Sequence, residues 1–216
     1  LGALEFVLTG TGSEALTGAS GAYRCRYGLA IADNLDTMAA AISGEWNAPD
    51  GIARLWANPG EGNPLYHTDA EAMTELFNVF VHGLEMVRDV RINGFLGATP
   101  GDDKPKSAIF WRSATTVASI RTDLEGLEGL FDASKLSAEL EEGDDWIAQS
   151  IRFEFSNADS ALQTSDGPIA DVLSDKVKRK RLDYARLVTS SLSDLFGTRL
   201  ADALDLTAGF SSLDGD

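Results

Sequence analysis

The chain is poor in the residue types that carry most enzyme chemistry. It has one cysteine, Cys25, and two histidines, His67 and His82, among 216 residues. One cysteine cannot form a disulfide within the chain, and a lone thiol suits a cytoplasmic or a periplasmic home. Bases are scarce as well: 18 Lys and Arg stand against 34 Asp and Glu, for a net charge of −16. Such a field repels nucleic acid and anionic membrane surfaces and concentrates cations, although solubility alone also accounts for an acidic surface. No apolar run approaches the roughly 18 residues of a membrane-spanning helix. There is no HExxH, no GxSxG, no P-loop and no GxGxxG after a strand, so zincin, serine-hydrolase and nucleotide-binding chemistry lack a local signature. A di-iron carboxylate bundle needs ExxH units from two helices, and two histidines at these positions exclude its usual form. An initiator methionine is lacking too. The sequence opens uncapped inside the apolar segment Leu1-Gly2-Ala3-Leu4-Glu5-Phe6-Val7-Leu8, which leads us to expect further sequence upstream that would carry any targeting signal.

What is present is helical periodicity. With 44% apolar and 24% charged residues the composition is that of a globular protein able to bury a core. Residues 1–10 read as the tail of a helix stopped at Thr9-Gly10-Thr11-Gly12. Tyr23, Tyr27, Ala30, Ile31, Leu35, Met38 and Ile42 recur at helical spacing from about Ala22 to Ile42. Trp46 to His67 is rich in Pro, Gly and Asn, a connecting segment with one short helical turn around Ile52 to Trp56. Four long amphipathic patterns follow. Thr68-Asp69-Ala70-Glu71 is a capping box opening the first, which runs towards Gly97. The second spans Lys106 to about Phe131, and the third Leu136 or Asp144 to Leu162, with a break at Gly143. The fourth begins after the turn Ser165-Asp166-Gly167-Pro168 and continues towards Leu204. No alternating strand pattern competes. The expectation is an all-α protein: residues 1–62 as a helical part ending in a connecting segment, residues 63–216 as an up-and-down four-helix bundle, closing in a polar, Gly-rich surface tail from Leu206.

One unit in this scaffold can carry chemistry. His82 and Glu85, three residues apart, leave the same side of one helix a turn apart. Imidazole plus carboxylate suits zinc, iron, manganese or nickel better than calcium. Asp89 extends the acidic side of that face, and Glu5 is a further candidate. The bland alternative is a partly buried histidine hydrogen-bonded within its own helix. Arg88 is expected to pair with Glu85 across one turn. Arg112, following Ile109-Phe110-Trp111, is expected to be buried against a carboxylate. Arg24 and Arg26 flank Cys25 in what reads as a second polar cluster. The run Lys176 to Arg181 reads as a solvated helix face paired with nearby acids, since the chain as a whole is acidic. The four tryptophans read as packing residues.

Taken together, Leu1-Gly2-Ala3-Leu4-Glu5-Phe6-Val7-Leu8, Tyr23-Arg24-Cys25-Arg26-Tyr27, Phe80-Val81-His82-Gly83-Leu84-Glu85, Pro105-Lys106-Ser107-Ala108-Ile109-Phe110-Trp111-Arg112-Ser113 and the closing Leu206 to Asp216 resemble the imelysin-like family. That resemblance implies tandem, duplicated helical bundles, the second complete in this chain, with a functional site where they meet. It also implies export to the periplasm, a lipid anchor outside this chain, and a role in bacterial iron uptake. The family pattern GxHxxE falls on Gly2-Ala3-Leu4-Glu5, which keeps Glu5 and lacks the histidine; His82-Gly83-Leu84-Glu85 has the HxxE spacing without the leading glycine. The sequence thus favours binding of iron or another cation such as zinc, or of a small ligand at the bundle interface, with His82 and Glu85 as metal ligands and Glu5, Asp89 and Arg112 as binding residues. An envelope protein is the expected macromolecular partner, and nucleic acid is not. The alternatives are a metal-dependent peptidase and a scaffold without metal.

Overall fold

A computed structural model describes residues 1–206; the closing residues 207–216, and with them the expected surface tail, lie outside the described part. Among the described residues there is no strand, and the protein is all-α. The chain divides into two compact units, Leu1–Ala72 and Met73–Asp216.

In the first unit, α1 (Gly2–Thr9) packs on α2 (Ala22–Trp46), with two short 3₁₀ turns between them. The end of α1 leaves carbonyls without helical partners, and Arg24 of α2 takes them up. Its Nε donates to the Val7 carbonyl at 2.7 Å and its Nη1 to that of Thr11 at 2.7 Å, while Nη2 reaches Phe6 and Gly10. Within the cluster read from Tyr23 to Tyr27, Arg24 is thus a helix-capping residue. Gly28 is where α2 meets Val7: a Cβ there would lie 2.8 Å from Val7 Cγ1. After α2 comes the short α3 (Ile52–Ala57). Buried Asn63 holds the connecting segment together. Its amide donates to the carbonyls of Leu55 and Asn58, and its Oδ1 accepts from the N–H groups of Leu65 and Tyr66.

The second unit is a four-helix bundle. α4 (Asp69–Glu85) opens as the sequence suggests: Thr68 Oγ1 accepts from the Glu71 N–H at 3.2 Å, and the Glu71 carboxylate accepts from the Thr68 N–H at 3.3 Å. Beyond Glu85 the chain widens into a π-helical turn, Met86–Ile92. α5 (Thr116–Ser134) packs on α6 (Asp145–Gln163), α6 on α8 (Lys176–Asp194), and both α5 and α8 on the π-turn. A second π-turn, Leu195–Leu200, ends α8. An aromatic cluster fills the centre: Phe80 stacks on Phe196 with ring centroids 4.7 Å apart, and Phe131 meets Phe196 edge-on at 5.4 Å.

Two helix boundaries differ from the sequence reading. The second long pattern does not start at Lys106: α5 begins only at Thr116, and residues 108–115 form turns in which Phe110 and Ala114 adopt left-handed backbone (φ 61° and 59°). The fourth is split at Asp175, whose extended backbone and side chain cap α8 by accepting from the N–H groups of Val177 and Lys178 at 2.8 and 3.1 Å. The segment before it is the six-residue α7 (Ile169–Ser174). An aspartate that can satisfy two orphan donors competes well with an uninterrupted helix.

Candidate functional site

His82 and Glu85 lie in the last turns of α4, immediately before the π-turn. The amphipathic pattern of α4 turns Phe77, Phe80, Val81 and Leu84 into the core, which leaves the two polar side chains half-buried beside it. His82 Nε2 and Glu85 Oε2 are both buried, and neither has a hydrogen-bond partner among the described residues. The bland reading, a histidine satisfied by its own helix, does not describe this atom. A buried polar atom left without a partner costs about 1–3 kcal/mol, so an imidazole nitrogen and a carboxylate oxygen orphaned three residues apart call for a ligand or solvent that satisfies them. Helices widen to π geometry frequently at functional sites, and here the widening begins at the residue after Glu85.

The other expected residues are engaged differently. Asp89 falls within the π-turn and is exposed. Arg88 Nη2 donates to its Oδ2 at 2.6 Å and Nε to its Oδ1 at 2.9 Å, and Asn93 adds a bond at 3.1 Å. The hydrogen-bonded guanidinium holds the Asp89 carboxyl below the ordinary carboxylate range. Arg88 thus binds its neighbour Asp89 rather than Glu85, whose charge acts on it only at longer range. Arg91 bonds to Asp123 and to Ser119 of α5, at 3.0 Å each. Arg112 is not buried: it sits exposed in the turns before α5, its guanidinium over the Trp111 ring 4.4 Å from the centroid. The expectation of burial fails because residues 108–115 are not helical, so the apolar residues preceding Arg112 do not carry it into the core. Glu5 lies in the first turn of α1, half-buried, within the first unit. Exposed His67 is used through its backbone, whose N–H donates to the Glu71 carboxylate.

Among the described residues the buried arginine is Arg179, inside the basic run expected to be a solvated face. It donates to Asp103 Oδ2 at 2.7 Å and Oδ1 at 2.9 Å, to Asp183 Oδ2 at 2.8 Å and to the Gly97 carbonyl at 3.0 Å. Spacing could have revealed it, because Arg179 stands three residues before Leu182 on the stripe that continues to Ala185, Val188 and Leu192. Its four bonds are internal, which makes it a structural residue.

Among the described residues no group of three or more His, Cys, Asp or Glu is placed to hold a metal ion. His82 and Glu85 are therefore two candidate ligands and not a closed site. The family model for imelysin (Peptidase_M75) matches residues 1–194, through both units. The chain belongs to the imelysin family. No curated protein and no solved structure matches it. In this imelysin, His82-Gly83-Leu84-Glu85 has a histidine three residues before a glutamate, whereas Gly2-Ala3-Leu4-Glu5 has glycine in that place.

Proposed function

We propose that this imelysin binds a transition-metal cation through His82 and Glu85, and that it handles iron or a similar cation in bacterial iron uptake, exported to the periplasm and tethered there by a lipid anchor. The observation that carries the reading is the pair of buried, unpartnered atoms His82 Nε2 and Glu85 Oε2 on one helix. Neutral imidazole and carboxylate fit zinc or iron(II), and a cation would satisfy both orphans at once. The remaining coordination positions would go to solvent or to the ligand that accompanies the metal. The acidic balance of the chain favours the arrival of cations. When bound, the metal would supply Lewis acidity. The protein's own part is to hold one nitrogen and one oxygen donor a helical turn apart in a partly desolvated place. Two named protein ligands suit binding better than peptide hydrolysis, because catalytic zinc sites use three.

Elemental analysis and calorimetric titration with zinc and iron(II) test this. Stoichiometric metal in the wild type, lost in His82→Ala and in Glu85→Gln with helicity unchanged, is the expected result. Failure of the wild type to bind at concentrations that saturate ordinary carboxylate–imidazole sites would remove the cation and leave a scaffold.

A further inference from the structure

A cavity of about 320 Å³ lies between the end of α4 with its π-turn and α5. Met86, Val87, Ile109 and Leu127 make its walls, and Arg91 and Asp123 supply its polar lining. Its shape follows from the local sequence. Gly83 has no side chain, and a Cβ there would come within 2.7 Å of Leu127, so α5 leans in against the bare backbone of α4. The π-turn, with more residues per turn than an α-helix, then carries Met86 and Arg91 round the axis by less per residue. Met86 and Ile109, both large and apolar, are 46% and 41% exposed, which is costly surface to leave in water.

The polar lining has a particular valence. Arg91 spends Nε and Nη2 on Asp123 Oδ2 and Ser119 Oγ. Guanidinium has five N–H donors and a carboxylate two oxygens, so the Nη1 edge of Arg91 and Oδ1 of Asp123 remain uncommitted among the described residues. A cation-side donor edge and an anion-side acceptor stand next to each other, beside an apolar hollow. A simple carboxylate would use Arg91 alone and must approach a chain of net charge −16. A simple amine would use Asp123 alone. A zwitterion uses both and carries no net charge. The volume is at the small end of ligand cavities, which selects a compact molecule.

We propose that this cavity binds a free apolar α-amino acid such as leucine or methionine. The ligand carboxylate pairs with Arg91, its ammonium with Asp123, and its side chain lies among Met86, Val87, Ile109 and Leu127. The site is separate from a metal at His82 and Glu85 and does not depend on one.

Calorimetric titration of the full chain with L-leucine, in buffer containing a chelator, is the test. Expected is saturable binding at one site, weakened at least about tenfold for 4-methylpentanoate, which lacks the ammonium, and for 3-methylbutylamine, which lacks the carboxylate. Leu127→Trp, filling the hollow, and Met86→Trp, altering an exposed wall, should each abolish it with helicity retained. Absence of saturable heat and of chemical-shift changes at millimolar leucine would overturn the proposal. So would equal binding of either analogue, or unchanged binding in a folded Met86→Trp protein. The comparison of analogues uses the wild type and stands even if the variants do not fold.

Discussion

Arg179 and Arg112 show how much the setting of one side chain decides. The Arg179 and Asp103 side chains are 9% and 7% exposed and bonded through two nitrogen–oxygen contacts, with the Gly97 N–H also bonded to Asp103. Removing the arginine would strand a buried carboxylate, so Arg179→Met should lower stability in urea by about 3–5 kcal/mol. Exposed Arg112 should behave as a surface residue, and Arg112→Met should cost no more than about 1 kcal/mol. A near-neutral Arg179→Met, or a large loss for Arg112→Met, would contradict this assignment. The sequence context pointed the other way because neighbours in sequence are poor guides to burial: Ile109, Phe110 and Trp111 are apolar but lie in turns, whereas Arg179 is surrounded by bases yet sits on the buried stripe of α8. The candidate site was legible at this scale as a pair. His82 and Glu85 are recognisable from spacing alone. That His82 Nε2 and Glu85 Oε2 are buried without partners depends on packing, which spacing does not contain.

At the scale of elements, the helices follow the 3.6-residue rhythm closely, and the departures come where backbone geometry overrides it. α1, α2, α3 and the capped start of α4 fall where periodicity and capping place them. The π-turn after Glu85 has no sequence signature, since Met86-Val87-Arg88-Asp89-Val90-Arg91-Ile92 is equally good α-helix, and the bonded neighbours Arg88 and Asp89 both lie within it. The turn before α5 was illegible for a related reason: Phe110 and Ala114 are not residues from which left-handed backbone is expected. Lys135, which ends α5 at φ 61°, is a third such position. Glycine adopts that conformation without the steric cost of a Cβ. Lys135→Gly should therefore raise stability by about 0.5–1 kcal/mol, measured by chemical denaturation; a loss would mean that the Lys135 side chain contributes more than its backbone costs.

For the molecule as a whole, the excess of acids makes stability a matter of pH. Asp89, Asp103 and Asp175 all have carboxyls held below the ordinary range. For Asp89 the cause is the Arg88 guanidinium. For Asp103, burial would raise it, but Arg179 and the Gly97 N–H outweigh that effect. For Asp175 the cause is the Lys178 and Val177 N–H groups. Groups lowered by folding stabilise the native state above their unfolded values and lose that contribution as pH falls through the folded ones. Glu128 opposes them: burial first, then the nearby charge of Asp132, pushes its carboxyl up, so its ionised form weighs against folding at neutral pH. Stability should therefore hold or rise slightly from pH 7 to about 5 and fall below about 4, the ordinary aspartate range, as followed by thermal melts at each pH. Glu128→Gln should raise the melting temperature at pH 7 and lose that advantage in acid. Unfolding that begins at pH 6 would require a different titrating group.

The central claim is that an imelysin with a single HxxE helix pair uses His82 as a metal ligand. X-ray absorption at the metal edge of zinc- or iron-loaded protein reads the ligand shell directly. The chain has two histidines, so the assignment is unambiguous with two variants. One imidazole in the first shell, retained in His67→Ala and lost in His82→Ala, is the result expected. A first shell of oxygen alone, or an imidazole that disappears with His67, would contradict the account.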